Sequence, residues 1–470
     1  MPPSVYYGTR SEQIRYIALL SFLFLCLLGG GASRVDVASL LYLRPAAVLC
    51  IVAILITPGA IEFRRYRPLF AMLFALAAII AAQLVPLPPE TWLSLPGRER
   101  YAEAIALAGG GAWHPISLVP DLTLNSLVAL VVPLAALIGY AAIRLDQRAH
   151  LLRMLIVAGC ASAVLGVLQL ILGNDSFAYL YSVTHPWSPV GFFSNRNHQA
   201  ALLAMLLPIL AIWIRMPAAD EQIRRTRFWT AILIGLFLVP VQLTTGSRAG
   251  MALTLIGLAA AALLGGRREL ADASVRGRAL LRRAILVILP IALAAVVIFF
   301  GRGLALQRLM GEDIQGDLRV EHTPLMLKMT ADFFPLGTGF GTFDPVFRAY
   351  EPDASLDPRY FNRAHNDLIE LLLNGGLPAA LLLIAFLTWF AWSARAAFAR
   401  LATRSPSLLL ARLGAIMIAM MLLASLVDYP LRTPLMGVVF VIACGWLADR
   451  GGQRDRAPKA EKLRQNNGLL

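Results

Sequence analysis

Four short clusters combine residue types that do chemistry, and each interrupts or borders an apolar stretch, where polar groups are costly. Gly191-Phe192-Phe193-Ser194-Asn195-Arg196-Asn197-His198 packs several hydrogen-bonding side chains at the entrance to an apolar block. It reads either as a helix cap with interfacial anchors or as part of a binding site. Thr244-Thr245-Gly246-Ser247-Arg248-Ala249-Gly250 is a short turn between two such blocks, and its Arg248 calls for either an ion-pair partner or a ligand. Asp317-Leu318-Arg319 opens a run in which Leu318, Leu325, Met329 and Phe333 recur at helical spacing. The spacing predicts an amphipathic helix with Arg319 near its start and Pro335 and Gly337 just past its end. The fourth cluster is Arg363-Ala364-His365-Asn366-Asp367-Leu368-Ile369-Glu370. Asp367 or Asn366 can cap the following helix, with Glu370 reaching back as in a capping box, and Gly375 and Gly376 can end it. His365 then stands at a helix N-terminus. The helix dipole and Arg363 both favour its neutral form, which can accept a proton near neutral pH.

Arginine offers a rigid fork of donors suited to phosphate oxygens, and a neutral imidazole can deprotonate a hydroxyl nucleophile. Together they suit transfer of a group away from a lipid diphosphate. That leaving group needs no general acid, and arginine stabilises the charge it develops. No GxSxG, HExxH or phosphate-loop pattern is present, so hydrolase, zinc-protease and ATPase readings lack a basis. Glu351, Asp353 and Asp357, interrupted by Pro352, read as a solvated acidic loop, and no metal is assigned. Gly337, Gly339 and Gly341 have neither a strand before them nor a helix after them, so they read as tight turns, not a dinucleotide loop.

The elements that must position these residues are membrane helices. The 470 residues are 58% hydrophobic and 15% charged, with mean hydropathy +0.68. A soluble domain is about 45–50% apolar and about 25% charged, so a soluble enzyme is excluded. Twelve apolar blocks are long enough to be candidate spans: 16–32, 38–58, 68–86, 122–143, 151–173, 198–214, 228–245, 248–266, 284–301, 376–394, 408–427 and 434–448. The first follows Arg10 and Arg15 but lacks a small-residue cleavage site, so it is read as a span and not a signal peptide. Lysine and arginine concentrate in alternate loops, from Arg64, Arg65 and Arg67 through Arg144 and Arg148 to the basic tail after Asp449. The positive-inside rule makes that side cytoplasmic and puts both termini there. The net charge of +14 is then chiefly a record of insertion, and nucleic acid is not expected as a partner.

The opposite side holds two long segments, about 87–121 and 302–375. The second is rich in aromatic residues (Phe333, Phe340, Phe343, Phe347, Tyr350), which predicts a folded periplasmic module between spans nine and ten. All four cysteines fall in spans, so there is no disulfide framework. The expected fold is an all-α polytopic membrane protein. It is divided into N-terminal helices (1–190), a membrane core with the large loop (191–435), and a last span with its basic tail (436–470).

With order and spacing taken together, the chain resembles the O-antigen ligase and polymerase superfamily of bacterial inner-membrane proteins. The matching parts are the 191–198 cluster, the Ser247-Arg248-Ala249-Gly250 turn, Arg319 with Pro335-Leu336-Gly337-Thr338-Gly339-Phe340-Gly341, Ala364-His365-Asn366-Asp367, and Asp428-Tyr429-Pro430-Leu431. They span about residues 180–435. The resemblance implies metal-independent, cofactor-free, inverting glycosyl transfer at the periplasmic face. The donor is a glycan on undecaprenyl diphosphate. The acceptor is a hydroxyl of the lipid A core for a ligase, or another repeat unit for a polymerase. It further implies His365 as general base and Arg248, Arg319 and Arg196 on the diphosphate, with Asn195, Asn197, Ser247, Arg363, Asn366 and Asp367 in support. After Arg319 this chain reads Val320-Glu321-His322-Thr323-Pro324 where relatives usually carry a tryptophan. A lipid or solute transporter without chemistry is the rival of another class. Transporters show paired repeats and ionisable residues at the midplane, whereas here no repeat is evident and the ionisable residues gather at one face.

Overall fold

The computed structural model describes residues 9–107, 109–182, 187–264, 318–353, 362–399 and 405–449, the side chains of 318–320 aside. Among these the protein is all-α. The only β structure is a two-residue antiparallel pair, Pro86–Leu87 against His114–Pro115.

Eleven of the twelve apolar blocks coincide with helices. Seven helical stretches are long and apolar enough to cross a bilayer: Arg10–Gly29, Pro120–Ala142, Leu145–Leu172, Arg196–Arg215, Glu221–Thr244, Asp367–Phe398 and Pro406–Ser425. Four shorter apolar helices occupy the other blocks: Leu40–Ile56, Arg67–Ala82, Arg248–Leu264 and Pro434–Ala448. At 1.5 Å per residue these four reach only about 22–26 Å, short of the roughly 30 Å of hydrocarbon. The block at 284–301 lies outside the described residues.

In chain order the helices used below are α1 (Arg10–Gly29), α2 (Leu40–Ile56), α3 (Arg67–Ala82), α4 (Pro89–Leu93), α5 (Glu99–Leu107), α6 (Pro120–Ala129), α7 (Val131–Ala142), α8 (Leu145–Leu172), α9 (Arg196–Arg215), α10 (Glu221–Thr244), α11 (Arg248–Leu264), α12 (Leu318–Asp332), α13 (Phe343–Arg348), α14 (Asp367–Phe398), α15 (Pro406–Ser425) and α16 (Pro434–Ala448). The block at 122–143 is thus two consecutive helices, joined at Leu130. The expected stop at Gly375 and Gly376 is a kink. Gly376 adopts φ 55°, where a β-carbon would collide with the Pro335 carbonyl, and the helix resumes at once to Phe398.

α9 and α15 form the middle of the bundle, buried along most of their length, while α10 and α14 are largely uncovered. Leu41, Ile56 and Leu263 on other helices are at least 75% exposed. An exterior this apolar fits lipid and not water as the solvent. α1 packs into the main core through Leu19, Phe22 and Cys26, so it is an integral part of the bundle.

The two long interhelical segments expected on one side are joined in a single module. Met326, Met329 and Phe333 of α12 and its end pack on Phe343, Val346, Phe347 and Tyr350 around α13. Arg98, buried in the 87–121 segment, lies over both the Trp92 and Phe333 rings, and Leu118 N–H donates to the Thr338 carbonyl at 2.9 Å. The turns at Gly337, Gly339 and Gly341 all have positive φ. At Gly337 a β-carbon would sit 2.6 Å from the Asn374 carbonyl oxygen, so the close approach of this turn to α14 requires glycine. His322 is buried edge-on against Phe347 at 5.2 Å between ring centroids.

Candidate functional site

The site is built at one end of the bundle, where α9, α14 and the link from α15 to α16 meet. Asn195 caps α9, its Oδ1 accepting from Asn197 N–H at 2.8 Å. Asn366, not Asp367, caps α14, accepting from Leu368 and Ile369 N–H at 3.0 and 3.1 Å. Its side-chain amide also donates to the Leu426 carbonyl at 2.9 Å, which ties the start of α14 to the end of α15.

These caps bring two histidines to one carboxylate. Asp428, 3% exposed, has its Oδ1 3.4 Å from His365 Nδ1 and 3.7 Å from His198 Nε2. Its Oδ2 accepts from Asn197 at 2.6 Å and Asn195 at 3.3 Å, and the Tyr429 N–H donates to Oδ1 at 2.9 Å. The Tyr429 ring packs against both imidazoles, at 4.8 Å from His365 and 5.2 Å from His198 between centroids. Burial pushes the Asp428 carboxyl up, but the two imidazoles outweigh it and hold its pKa well below the usual carboxylate range. His365 keeps this place with φ 48°, a left-handed conformation unusual for a residue with a side chain.

A second ionic group adjoins the first. Arg363 does not turn to His365, as its place in the sequence suggests. It donates to Glu370 Oε1 at 2.9 Å and to the Ser33 carbonyl at 3.1 Å. Nor does Glu370 complete a capping box. Fully buried, it accepts from Ala364 N–H at 3.2 Å and faces Arg432 at 3.6 Å. Asp367 accepts from Ser425 Oγ at 2.8 Å and Arg432 Nε at 3.1 Å.

Of the residues singled out in the sequence, the structure therefore gathers His365, Asn195 and Asn197 at Asp428, and Arg363 and Asp367 in the neighbouring network. Arg196 is the first residue of α9, between the two asparagines. Ser247 Oγ accepts from Gly250 N–H at 2.9 Å and so starts α11, leaving Arg248 exposed at its first position. That turn lies against α9, since a β-carbon at Gly250 would meet Ala200. Arg319 is in the first turn of α12, but its side chain falls outside the described part, as do Asp317 and Asp357. Asp428 carries the central contact, although in the sequence it stands out only within the Asp428-Tyr429-Pro430-Leu431 match and has no role assigned. The available signal was a carboxylate directly after an apolar helix, where a charge needs a partner.

A bundle of apolar helices, with two imidazoles gathered on one carboxylate at one end, is the architecture of a multi-pass membrane protein. Residues 241–384 match the family model described as O-antigen ligase, in support of the resemblance to the O-antigen ligase superfamily. Members of that family are glycosyltransferase-like enzymes acting on lipid-linked glycans in a membrane. The match includes Arg248, Arg319 and His365, while Asp428 and the Asn195–His198 stretch lie outside it. No curated protein matches the chain.

Proposed function

We propose that this protein is an O-antigen ligase: it transfers a glycan from undecaprenyl diphosphate to a hydroxyl of the lipid A core at the periplasmic face of the inner membrane. The placement of Asp428 against His365 Nδ1 at 3.4 Å carries the reading. A carboxylate there favours the tautomer with hydrogen on Nδ1 and leaves Nε2 to accept a proton. The acceptor hydroxyl gives that proton to His365 as its oxygen attacks the anomeric carbon with inversion. The bond to the diphosphate breaks, and Asp428 stabilises the imidazolium that forms. Arg248, Arg319 and Arg196 hold the diphosphate and its developing charge.

The test is glycan transfer in cells carrying His365→Ala, Arg248→Ala or Arg319→Ala. Each variant is expected at normal protein level with no glycan on the mature lipopolysaccharide, while long lipid-linked chains accumulate. Near-normal lipopolysaccharide in all three overturns the reading. Single repeats in place of long chains assign the protein to polymerisation instead.

A further inference from the structure

At the same end of the bundle as His365, a cavity of about 740 Å³ opens between the 32–35 loop, α2, α3, α6–α7, α14, α15 and the start of α16. Its volume lies within the roughly 300–1,000 Å³ of small-molecule sites. The cavity has two chemistries. Leu383, Leu387 and Phe390 of α14 and Ala419 and Leu422 of α15 form an apolar wall. The mouth is basic, with Arg34, Arg44, Arg363 and Arg432 lining it.

The four arginines are not equivalent. Arg34 pairs with Asp36 at the surface, and Arg363 and Arg432 are neutralised by Glu370 and Asp367. Arg44 lies just inside the apolar helix α2. It donates to the neutral Asn125 side chain at 2.6 Å, while its buried Nε has no hydrogen-bond partner. Among the described residues it has no carboxylate within ion-pair distance. A guanidinium held at the edge of the hydrocarbon without a counter-charge is costly unless an anion meets it. The mouth would supply that anion with further donors from Asn125 and Ser126, above a wall suited to a hydrocarbon chain.

No residue of α9 or α11 lines the cavity. α11 packs on α9 and α15, whereas α14 packs on α15 and α3. Arg196 and Arg248 are thus not among the residues that line the cavity.

We infer that this cavity binds the phosphorylated head and adjoining chain of the acceptor lipid, with Arg44 taking the phosphate. The inference rests on the ligase reading for its choice of acceptor over donor. Its test uses the full-length protein in detergent, probed with lipid A, undecaprenyl diphosphate and phosphatidylglycerol. Arg44→Gln and Leu387→Trp remove the charge and fill the apolar wall separately, so one misfolded variant does not end the test. Each is expected to weaken lipid A binding about tenfold or more, a change of about 1.4 kcal/mol, with undecaprenyl diphosphate binding unchanged. In transfer assays the Arg44→Gln loss should fall on the acceptor KM more than on kcat. Unchanged lipid A binding in both variants overturns the inference, as does a loss confined to undecaprenyl diphosphate or equal competition by phosphatidylglycerol. Transfer that survives His365→Ala would sink the ligase reading and leave the binding result standing.

Discussion

Asp428 Oδ1 lies 3.4 Å from His365 Nδ1, and the other oxygen of the same carboxylate is taken by Asn197 and Asn195. The asparagines fix the carboxylate, and the carboxylate fixes the ring. If Asp428 sets the tautomer, Asp428→Asn should leave the protein folded and lower kcat by on the order of 10²–10⁴-fold, the span for losing an oriented general base. The acceptor and donor KM should change little. Initial transfer rates on purified protein check this, and a kcat within threefold of wild type would reject the assignment.

The depressed pKa of Asp428 has a definite sign in stability. A carboxyl held lower in the folded state than in the unfolded one adds stability that is present above the unfolded value, about 3.9. That stability declines once pH falls below the unfolded value and is gone below the folded one. The difference in thermal midpoint between wild type and Asp428→Asn should therefore persist on acidification from pH 8 to pH 5. It should begin to shrink only below about pH 4. A difference that vanishes between pH 7 and pH 5 would contradict the pairing seen here.

Asparagine adopts positive φ more readily than alanine. His365 holds φ 48°, so His365→Asn and His365→Ala should both abolish transfer but differ in stability. His365→Asn is expected to be the more stable by about 0.5–1 kcal/mol, part of the cost of a left-handed residue. Thermal melts of the two purified variants measure the gap, and a gap of the opposite sign would show that the backbone there is not left-handed.

The membrane helices were legible because lipid imposes long apolar runs, and eleven of the twelve blocks meet helices. The candidate site was half legible. His365, Asn195 and Asn197 stand out as polar residues beside apolar runs, and local rules identify their caps. Asp428 could not be paired with them, because nothing local links the end of α15 to the caps of α9 and α14. Arg44 was hidden inside an apolar block. Arg98 and Phe333 illustrate the same limit at larger scale. The sequence shows two separate interhelical segments, and only side-chain packing across the fold joins them.

The far end of the bundle offers the control for the site. Arg65 and Arg148 count in the sequence as markers of the cytoplasmic side, yet both are built into a buried cluster. Asp449 accepts from Tyr66 and Tyr140 hydroxyls at 2.5 and 2.8 Å and from Arg148 Nη1 at 3.1 Å, with Arg65 Nε at 3.0 Å. Arg148 is 1% exposed and has Glu62 as its other acid, at 3.2 Å. The cluster clasps the end of α16 to α3, α7 and α8. Replacing Asp449 by Ala leaves Arg148 buried with half its counter-charge and two phenols without their acceptor. Breaking a buried pair in this way costs about 3–5 kcal/mol, so Asp449→Ala should lower yield and the thermal midpoint sharply. Because the clasp is at the opposite end from His365, turnover per folded molecule should equal that of wild type. Asp428→Asn should show the reverse pattern, near-normal yield with little turnover. Measuring both quantities on both variants separates the chemistry at one end from the clasp at the other. A large fall in specific turnover for Asp449→Ala would mean that the two ends are coupled through α16.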